Sequence, residues 1–596
     1  MRILFAPECQ SGNGTAHARR AVRLAREVHG VHHIALADGC GQSEASRLIR
    51  EQTADGGAEL DECVPGNHSF DMVVVDRKEV SRKTVQELLQ LAPVVGIDTG
   101  GAGRQQCDYL IDTLPRLDSG SPPNVFDMNF LELPTRGRGD VSGETRNQSM
   151  KEPRETPRVL VSFGGEDRRG LGRRVVRILL QLKLTSPEAI IWIDAATRTE
   201  PSVVRDGNGV VKARPAVPGL TELFSEVDLV ITMFGMTAFE ASAYGLPVVT
   251  VSPTRYHARL ARTMGFYRAG TFRPDRRALR RFFHDGYTRA RVKLPADPAP
   301  RSLASLLSHL DVRRIAGCPV CHSWKRKNAW RFKEKSYFRC GNCGMLYMEK
   351  MAGERISYTR SYFFEEYQKQ YGKTYLEDFE HIRTMGVDRI RTLKRLGLGE
   401  GSTLLDVGCA FGPFLTAGND ARLQVHGIDV AESAVRYVKE TLGLPAAKAS
   451  VEVFSPESVF NVGRFDAVTM WYVIEHVEDL ERVLTGVNKM ITNGGYFAFS
   501  TPSGSGISAR RDKWSFLRES PDDHVTVWEP GRTGSILRRF GFQVRETVIT
   551  GHHPERFPWT ARGKEGSVGW QAARVLSHSL RLGDTFEVYC RKVREL

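Results

Sequence analysis

The chain is predicted to fold as a multidomain α/β protein, on three observations. Its 596 residues exceed what one hydrophobic core holds, so three or four domains are expected. Short apolar runs alternate with helical stretches in both halves, the pattern of strands joined by crossover helices. Between the halves lies a tight set of four cysteines in two C-x-x-C pairs, the mark of a small metal-bound module.

The elements follow in order. Residues 1–133 form a first α/β domain opened by the strand MRILFAPE. SGNGTAHARRAVRLA then sets a Gly-rich loop containing Gly14 before a helix, with His17 and Arg20 in its first turn. Helix N-termini attract phosphate, and such a loop lets it approach. Residues 134–157 are polar and rich in Gly, Arg, Glu and Pro, a linker or loop. Residues 158–312 form a second α/β domain whose runs VLVSFGG, AIIWID, DLVITMFG and PVVTVSP read as parallel strands. Gly164 and Gly165 follow its first strand. Gly235, Thr237 and Glu240 mark a turn and helix where the acid could meet ribose hydroxyls.

Residues 313–350 hold CPVC and CGNC, separated by 18 residues. Each pair presents two thiolates to one tetrahedral ion, so Cys318, Cys321, Cys340 and Cys343 are expected to bind Zn2+. Four cysteines leave no open coordination position, which makes the ion structural. Such binding contributes ~10 kcal/mol or more to folding a module too small for its own core. The hairpin WKRKNAWRFKEK interleaves basic and aromatic residues; it suits nucleic acid or simply a solvated face. Residues 351–395 read as an aromatic-rich helical connector.

Residues 396–596 carry the sharpest signal. LLDVGCAFGPFL is an apolar run ending in Asp406, then a loop of small residues with Gly408, Ala410 and Gly412, then a helix start. VHGIDVAESAV ends a second run in Asp429, an acid placed to accept from ribose hydroxyls. FDAVTMWYVIEHVED and NGGYFAFSTPSG read as further strands, and GFQVRETVIT and DTFEVYCRKV as a closing antiparallel pair. The formal charge of +14 and pI of about 9.3 suit an anionic partner such as a nucleotide sugar, a phospholipid surface or RNA, or only a solvated basic surface. The six remaining cysteines are scattered, as in a reducing compartment, and no signal peptide or run of 18 apolar residues is found. A cytoplasmic protein is expected.

This order of motifs resembles the class I S-adenosylmethionine (SAM)-dependent methyltransferases, with a seven-stranded Rossmann-like domain. The resemblance implies SAM as cofactor, lined by Asp406, Gly408, Ala410 and Gly412. It implies Asp429 at the ribose, Glu452 near the adenine, and Trp471 and Tyr472 facing the methyl group. Ala410 stands where many members carry Gly. His476 and His524 are candidate bases, and Trp514 a candidate cover for substrate. Ribbon plus methyltransferase resembles bacterial methyltransferases with an N-terminal zinc ribbon, many of which act in sugar, polysaccharide or secondary-metabolite pathways.

The first 312 residues resemble GT-B nucleotide-sugar enzymes, built of two Rossmann-like domains. The nearer likeness is the UDP-sugar hydrolase of the pseudaminic acid pathway; the lipid-linked N-acetylglucosaminyltransferase of peptidoglycan synthesis is more distant. VVVDRKEV and IDTGGAGRQQCDYLID add to the first. The resemblance implies a catalytic His17 and a UDP-linked sugar held by Gly14, Gly164, Gly165, Gly235, Thr237 and Glu240. Ala16 and Phe234 replace glycines of the pattern, and Thr113 to Pro115 lacks its polar ending. The expected protein is bifunctional: methyl transfer to a sugar or glycan intermediate, plus glycosyl transfer or UDP-sugar hydrolysis, with peripheral membrane contact open. The alternative is a zinc-ribbon RNA methyltransferase with a non-catalytic front half.

Overall fold

The computed structural model describes residues 1–8, 16–35, 46, 49–51, 59–61, 70–116, 122–131, 133, 156–163, 167, 169–194, 201–215, 220–285, 292, 302–310, 317–350, 372–560 and 566–596. These divide into two compact units, Met1–Leu310 and Asp311–Leu596.

Unit 1 contains two all-parallel sheets. In the first, β1 (Arg2–Pro7), β2 (Val31–Ala35), β3 (Glu59–Asp61), β4 (Met72–Asp76), β5 (Val94–Ile97), β6 (Tyr109–Asp112) and β7 (Val125–Phe126) lie in the order β3-β2-β1-β4-β5-β6-β7. The central strands are buried on both faces, which is why they read as unbroken apolar runs. The second sheet uses β8 (Val159–Ser162), β9 (Ile190–Ile193), β12 (Leu229–Thr232), β13 (Val248–Ser252) and β14 (Tyr267–Thr271) in the order β14-β13-β12-β8-β9. The four strands read from sequence are all present. Edge strand β14 was not anticipated, because YRAGT is half exposed and has no apolar run. A separate hairpin joins β10 (Val203–Asp206) to β11 (Gly209–Lys212).

Unit 2 has a seven-stranded mixed sheet. It uses β18 (Thr403–Val407), β19 (Gln424–Asp429), β20 (Ala446–Lys448), β21 (Phe465–Trp471), β22 (Ile491–Pro502), β24 (Phe542–Thr550) and β25 (Thr585–Lys592), in the order β20-β19-β18-β21-β22-β25-β24. β25 runs antiparallel to both neighbours, as the closing pair predicts. One face packs Leu404, Ala467 and Ala498 against Ile390 and Leu393 of the helix Phe379–Leu396. Residues 351–371 of the expected connector lie outside the described residues.

The cysteine-bearing segment corrects two expectations. Its strands β15 (Arg326–Arg331), β16 (Lys335–Cys340) and β17 (Leu346–Lys350) are extended by β23 (Thr526–Val527), from the far end of unit 2. Cys318, Val320, Phe338, Cys340, Met345 and Tyr347 share one buried cluster with Ile474, Phe499 and Trp528. The ribbon is therefore continuous with the large domain's core rather than a module with none to share. Its hairpin is a basic face only in part: Lys325, Lys327 and Lys333 are exposed, and the other three cations are not. Arg326 is buried against Glu349 at 2.5 Å, Arg331 is buried, and Lys335 is buried against Asp522 at 3.0 Å. Among the described residues, no helix is long and apolar enough to cross a membrane.

Candidate active site

The loop after β18 turns back on itself through three left-handed residues, Gly408 (φ 72°), Ala410 (φ 45°) and Gly412 (φ 81°). A Cβ at Gly408 would stand 2.4 Å from Val473 Cγ2, so both conformation and space require glycine. Ala410 pays the steric cost of the αL region that Gly avoids, which explains the preference for Gly at that position. Its N–H donates to Asp429 Oδ2 at 2.9 Å, and Ala431 N–H donates to Oδ1 at 2.8 Å. Asp429 thus fastens the loop, and each oxygen keeps a second lone pair for a ribose hydroxyl. Asp406 is buried and accepts from Thr469 Oγ1 at 2.6 Å; burial pushes its carboxyl up to about 7. Glu452 is exposed in the turn beyond β20.

Trp471 is partly buried against the domain core. Strand alternation puts Ala467, Thr469 and Trp471 on one face of β21. The indole lies 5.1 Å from the Phe414 ring, with the Arg389 guanidinium 4.2 Å from its centroid. Tyr472, at φ 58°, takes an exposed position.

Beyond β21, a short 3-10 turn presents Glu475 and His476, and the chain before β23 presents His524. Their ligand atoms all lie within 4.8 Å of one another. The two imidazoles meet edge to face at 4.7 Å. Asp523, which the sequence reading missed although it adjoins His524 in PDDH, lies 3.1 Å from His476 Nδ1. Burial alone would lower the His476 pKa, but the Asp523 hydrogen bond and the Glu475 charge raise it. His524 is pulled down to about 4 by burial and by His476. Burial pushes Glu475 up to about 7. Glu475 Oε2, Ser500 Oγ and Trp471 Nε1 are buried with no hydrogen-bond partner. Orphaned polar atoms at the carboxyl ends of β21 and β22 fit a polar ligand there. Trp514, 46% exposed, stands 5.8 Å from the Phe332 ring of the ribbon.

The four ribbon cysteines also converge. Cys318 and Cys343 sulfurs are 3.5 Å apart, and those of Cys321 and Cys340 3.7 Å. A tetrahedral site with Zn–S of ~2.3 Å has sulfur–sulfur edges of about 3.8 Å, so the set fits zinc. Asn342 N and Cys343 N donate to Cys340 Sγ at 3.3 and 3.5 Å, as thiolate ligands require.

In unit 1, the helix Ala16–Glu27 brings His17 and Arg20 over the carboxyl ends of β4 and β5. His17 Nδ1 is 2.5 Å from Asp76 Oδ1. Arg20 grips both Asp76 oxygens at 2.7 and 2.8 Å and reaches Asp98 at 2.7 Å. Burial would raise the Asp76 carboxyl, but Arg20 and His17 hold it well below the usual range. Burial opposes protonation of His17, and Asp76 outweighs it, so its pKa is raised. Thr113, the departure from the expected polar ending, donates to Asp98 at 2.6 Å. Gly235 caps the helix Met236–Ala243 in an extended conformation, and a Cβ there would meet nothing within 4 Å. Thr237 and Glu240 lie half-buried on that helix; burial raises the Glu240 carboxyl against the field of Arg19. Phe234 packs on Phe239 and Phe266 at 5.3 and 5.9 Å, a core use that glycine could not serve. Gly14, Gly164 and Gly165 lie outside the described residues.

A family profile described as a methyltransferase domain matches residues 379–547. The ubiquinone biosynthesis O-methyltransferase of Albidiferax ferrireducens is 32% identical over 191 residues, 30% of this chain and 74% of that protein. The protein of the same name from Thiobacillus denitrificans is 29% identical over 185 residues, 30% of this chain and 80% of that one. A solved SAM-dependent methyltransferase from Archaeoglobus fulgidus aligns at 16% identity and a TM-score of 0.28, covering 38% of this chain and 98% of its own. Through its C-terminal region, which carries the glycine loop, Asp429 and the 3-2-1-4-5-7-6 sheet, the chain belongs to the class I SAM-dependent methyltransferase family.

Proposed function

We propose that unit 2 methylates a hydroxyl oxygen of a sugar or glycan intermediate. The observation that carries this reading is the His476–His524 pair beside Glu475 and Asp523, at the strand ends where the acceptor would approach. The relatives' O-methyltransferase names support oxygen as the receiving atom. SAM supplies an electrophilic methyl group when bound. The chain holds it through the Gly408–Gly412 loop, Asp406 and Asp429, with Tyr472 and Glu452 at the margins. His524, neutral at pH 7, accepts the acceptor's hydroxyl proton as oxygen takes the methyl. Asp523 holds the His476 ring in place, and Trp514 covers the acceptor. Zn2+ on Cys318, Cys321, Cys340 and Cys343 is structural.

For unit 1, the His17–Asp76–Arg20 network favours a second activity on a UDP-linked sugar, by transfer or hydrolysis. His17 acts as base through Nε2, with Gly235, Thr237 and Glu240 on the nucleotide. The RNA reading has only Lys325, Lys327 and Lys333 as exposed cations of the hairpin, since Arg326, Arg331 and Lys335 are buried.

Calorimetric titration of the zinc-loaded chain with S-adenosylhomocysteine, then UDP and a panel of UDP-sugars, tests both halves. Methyl transfer from labelled SAM is then measured on hydroxylated sugars and on RNA. Two independent sites and label on a sugar oxygen are expected. Label on RNA alone, or on nitrogen or carbon, overturns the acceptor assignment, and silence toward every UDP ligand overturns the unit 1 reading.

A further inference from the structure

The ribbon sheet reaches forward in sequence to grip the segment that carries Asp523 and His524. β17 pairs with β23, Leu346 opposite Val527 and Tyr347 opposite Thr526. Met348 N–H donates to Val525 O at 2.8 Å. Lys335 Nζ donates to Ser520 O at 2.6 Å and to Asp522 Oδ1 at 3.0 Å, across 187 residues of chain. Lys350 Nζ lies 3.2 Å from the other Asp522 oxygen. Asp522 therefore meets an ammonium on each oxygen, directly before Asp523 and His524. Burying a lysine costs free energy unless it is paired and fully hydrogen-bonded. A ribbon needed only for its own fold would keep Lys335 in water. Lys335 also opens the strand that ends at Cys340, so one end of β16 holds the cysteine cluster and the other holds the segment 520–528.

We propose that the cysteine ribbon is a brace for the methyl-transfer base: Lys335, with Lys350, fixes Asp522 and thereby sets Asp523 and His524 against His476. This rests on the reading of Glu475, His476 and His524 as the methyl-transfer site. Lys335 and Lys350 are positioning residues; neither needs to touch cofactor or acceptor. The brace couples the thiolate cluster to the base through one strand, and the donor loop 403–412 stays outside that path.

The test uses backbone hydrogen exchange on the full zinc-loaded chain, with S-adenosylhomocysteine affinity as a second readout. Lys335→Met is expected to speed exchange in 520–528 by about tenfold, the loss of a buried charged hydrogen bond. Exchange in 403–412 and the affinity for S-adenosylhomocysteine should stay within about twofold. Lys335→Arg, which keeps the charge, should restore protection. Lys350→Met, at a more exposed position, should give the same local effect in smaller degree and keeps the test open if Lys335→Met does not fold. Unchanged exchange in 520–528 overturns the brace. So does a uniform rise across unit 2, which would make Lys335 a fold residue only. Failure of the wild-type chain to bind S-adenosylhomocysteine would instead overturn the methyl-transfer reading while the exchange result still decides the brace.

Discussion

Each unit gathers acids at the carboxyl ends of parallel strands, and the two candidate sites treat buried charge in opposite ways, although unit 2 pairs its buried charges elsewhere, as in Arg326–Glu349. In unit 1, Asp76 and Asp98 share Arg20, and Asp76 also takes His17, so buried acids meet cations inside the protein. At the unit 2 site, Asp406 and Glu475 are buried with only the more distant charges of Arg389 and His476 to offset it, and burial pushes each up to about 7. A pre-paired site is stable when empty. An unpaired one stores a penalty that a cationic ligand can relieve.

The largest expected effect in unit 2 comes from breaking the cysteine set proposed to hold Zn2+. Cys340→Ser should forfeit ~10 kcal/mol of metal-linked folding in unit 2. Scanning calorimetry should then show the unit 2 transition lost and that of unit 1 kept.

Breaking the pairing comes next. Asp76→Asn leaves Arg20 with Asp98 alone and should cost unit 1 about 3 kcal/mol, read from its urea midpoint. The pH dependence should go with it. Asp76 is depressed in the fold, so its stabilisation is present above the ordinary carboxylate value and is lost as pH falls toward the folded one. His17 is raised, so its stabilisation is present below about 6.5 and is lost as pH rises through the higher folded value.

Unit 2 should show the reverse sign. Glu475 costs nothing below its ordinary value of 4.5, and its penalty grows as pH rises toward about 7. Glu475→Gln should therefore stabilise unit 2 by about 3 kcal/mol at pH 8 and by nothing at pH 4, checked by thermal melts at both. A loss of stability at pH 8 would show that Glu475 is paired after all. The smallest effect is on ligand choice. As Asp406 and Glu475 ionise between pH 6 and 8, calorimetry should show the affinity for cationic SAM gaining up to about tenfold over S-adenosylhomocysteine. A ratio flat with pH would place both acids out of reach of the sulfonium.

The donor loop was legible because its constraints are local. Three left-handed positions in five residues demand small side chains, and the acids close two adjacent strands. Six of the seven strands were legible as apolar runs with turn residues between them, while β20, the three residues Ala446–Lys448, carries no such run. The packing of Trp471 was not legible because a residue at a strand's last position points to either face, and only its contacts with Phe414 and Arg389 show which. β23 was invisible, since two residues carry no period. The burial of Arg326 and Lys335 was equally hidden, because a run of alternating basic and aromatic residues looks the same whether its partners are water or a distant acid.

By itself, then, the sequence determined the donor loop with its acids, most strands of that domain and the cysteine set, because turn geometry and strand burial act over a few residues. Only the tertiary structure decided that the ribbon shares the methyltransferase core, that Asp523 holds His476, and that Arg20 joins two acids from different strands. Those contacts close loops of tens to nearly two hundred residues. Their closing entropy is repaid by burial and ion pairing in the folded state, and neither leaves a periodic trace along the chain.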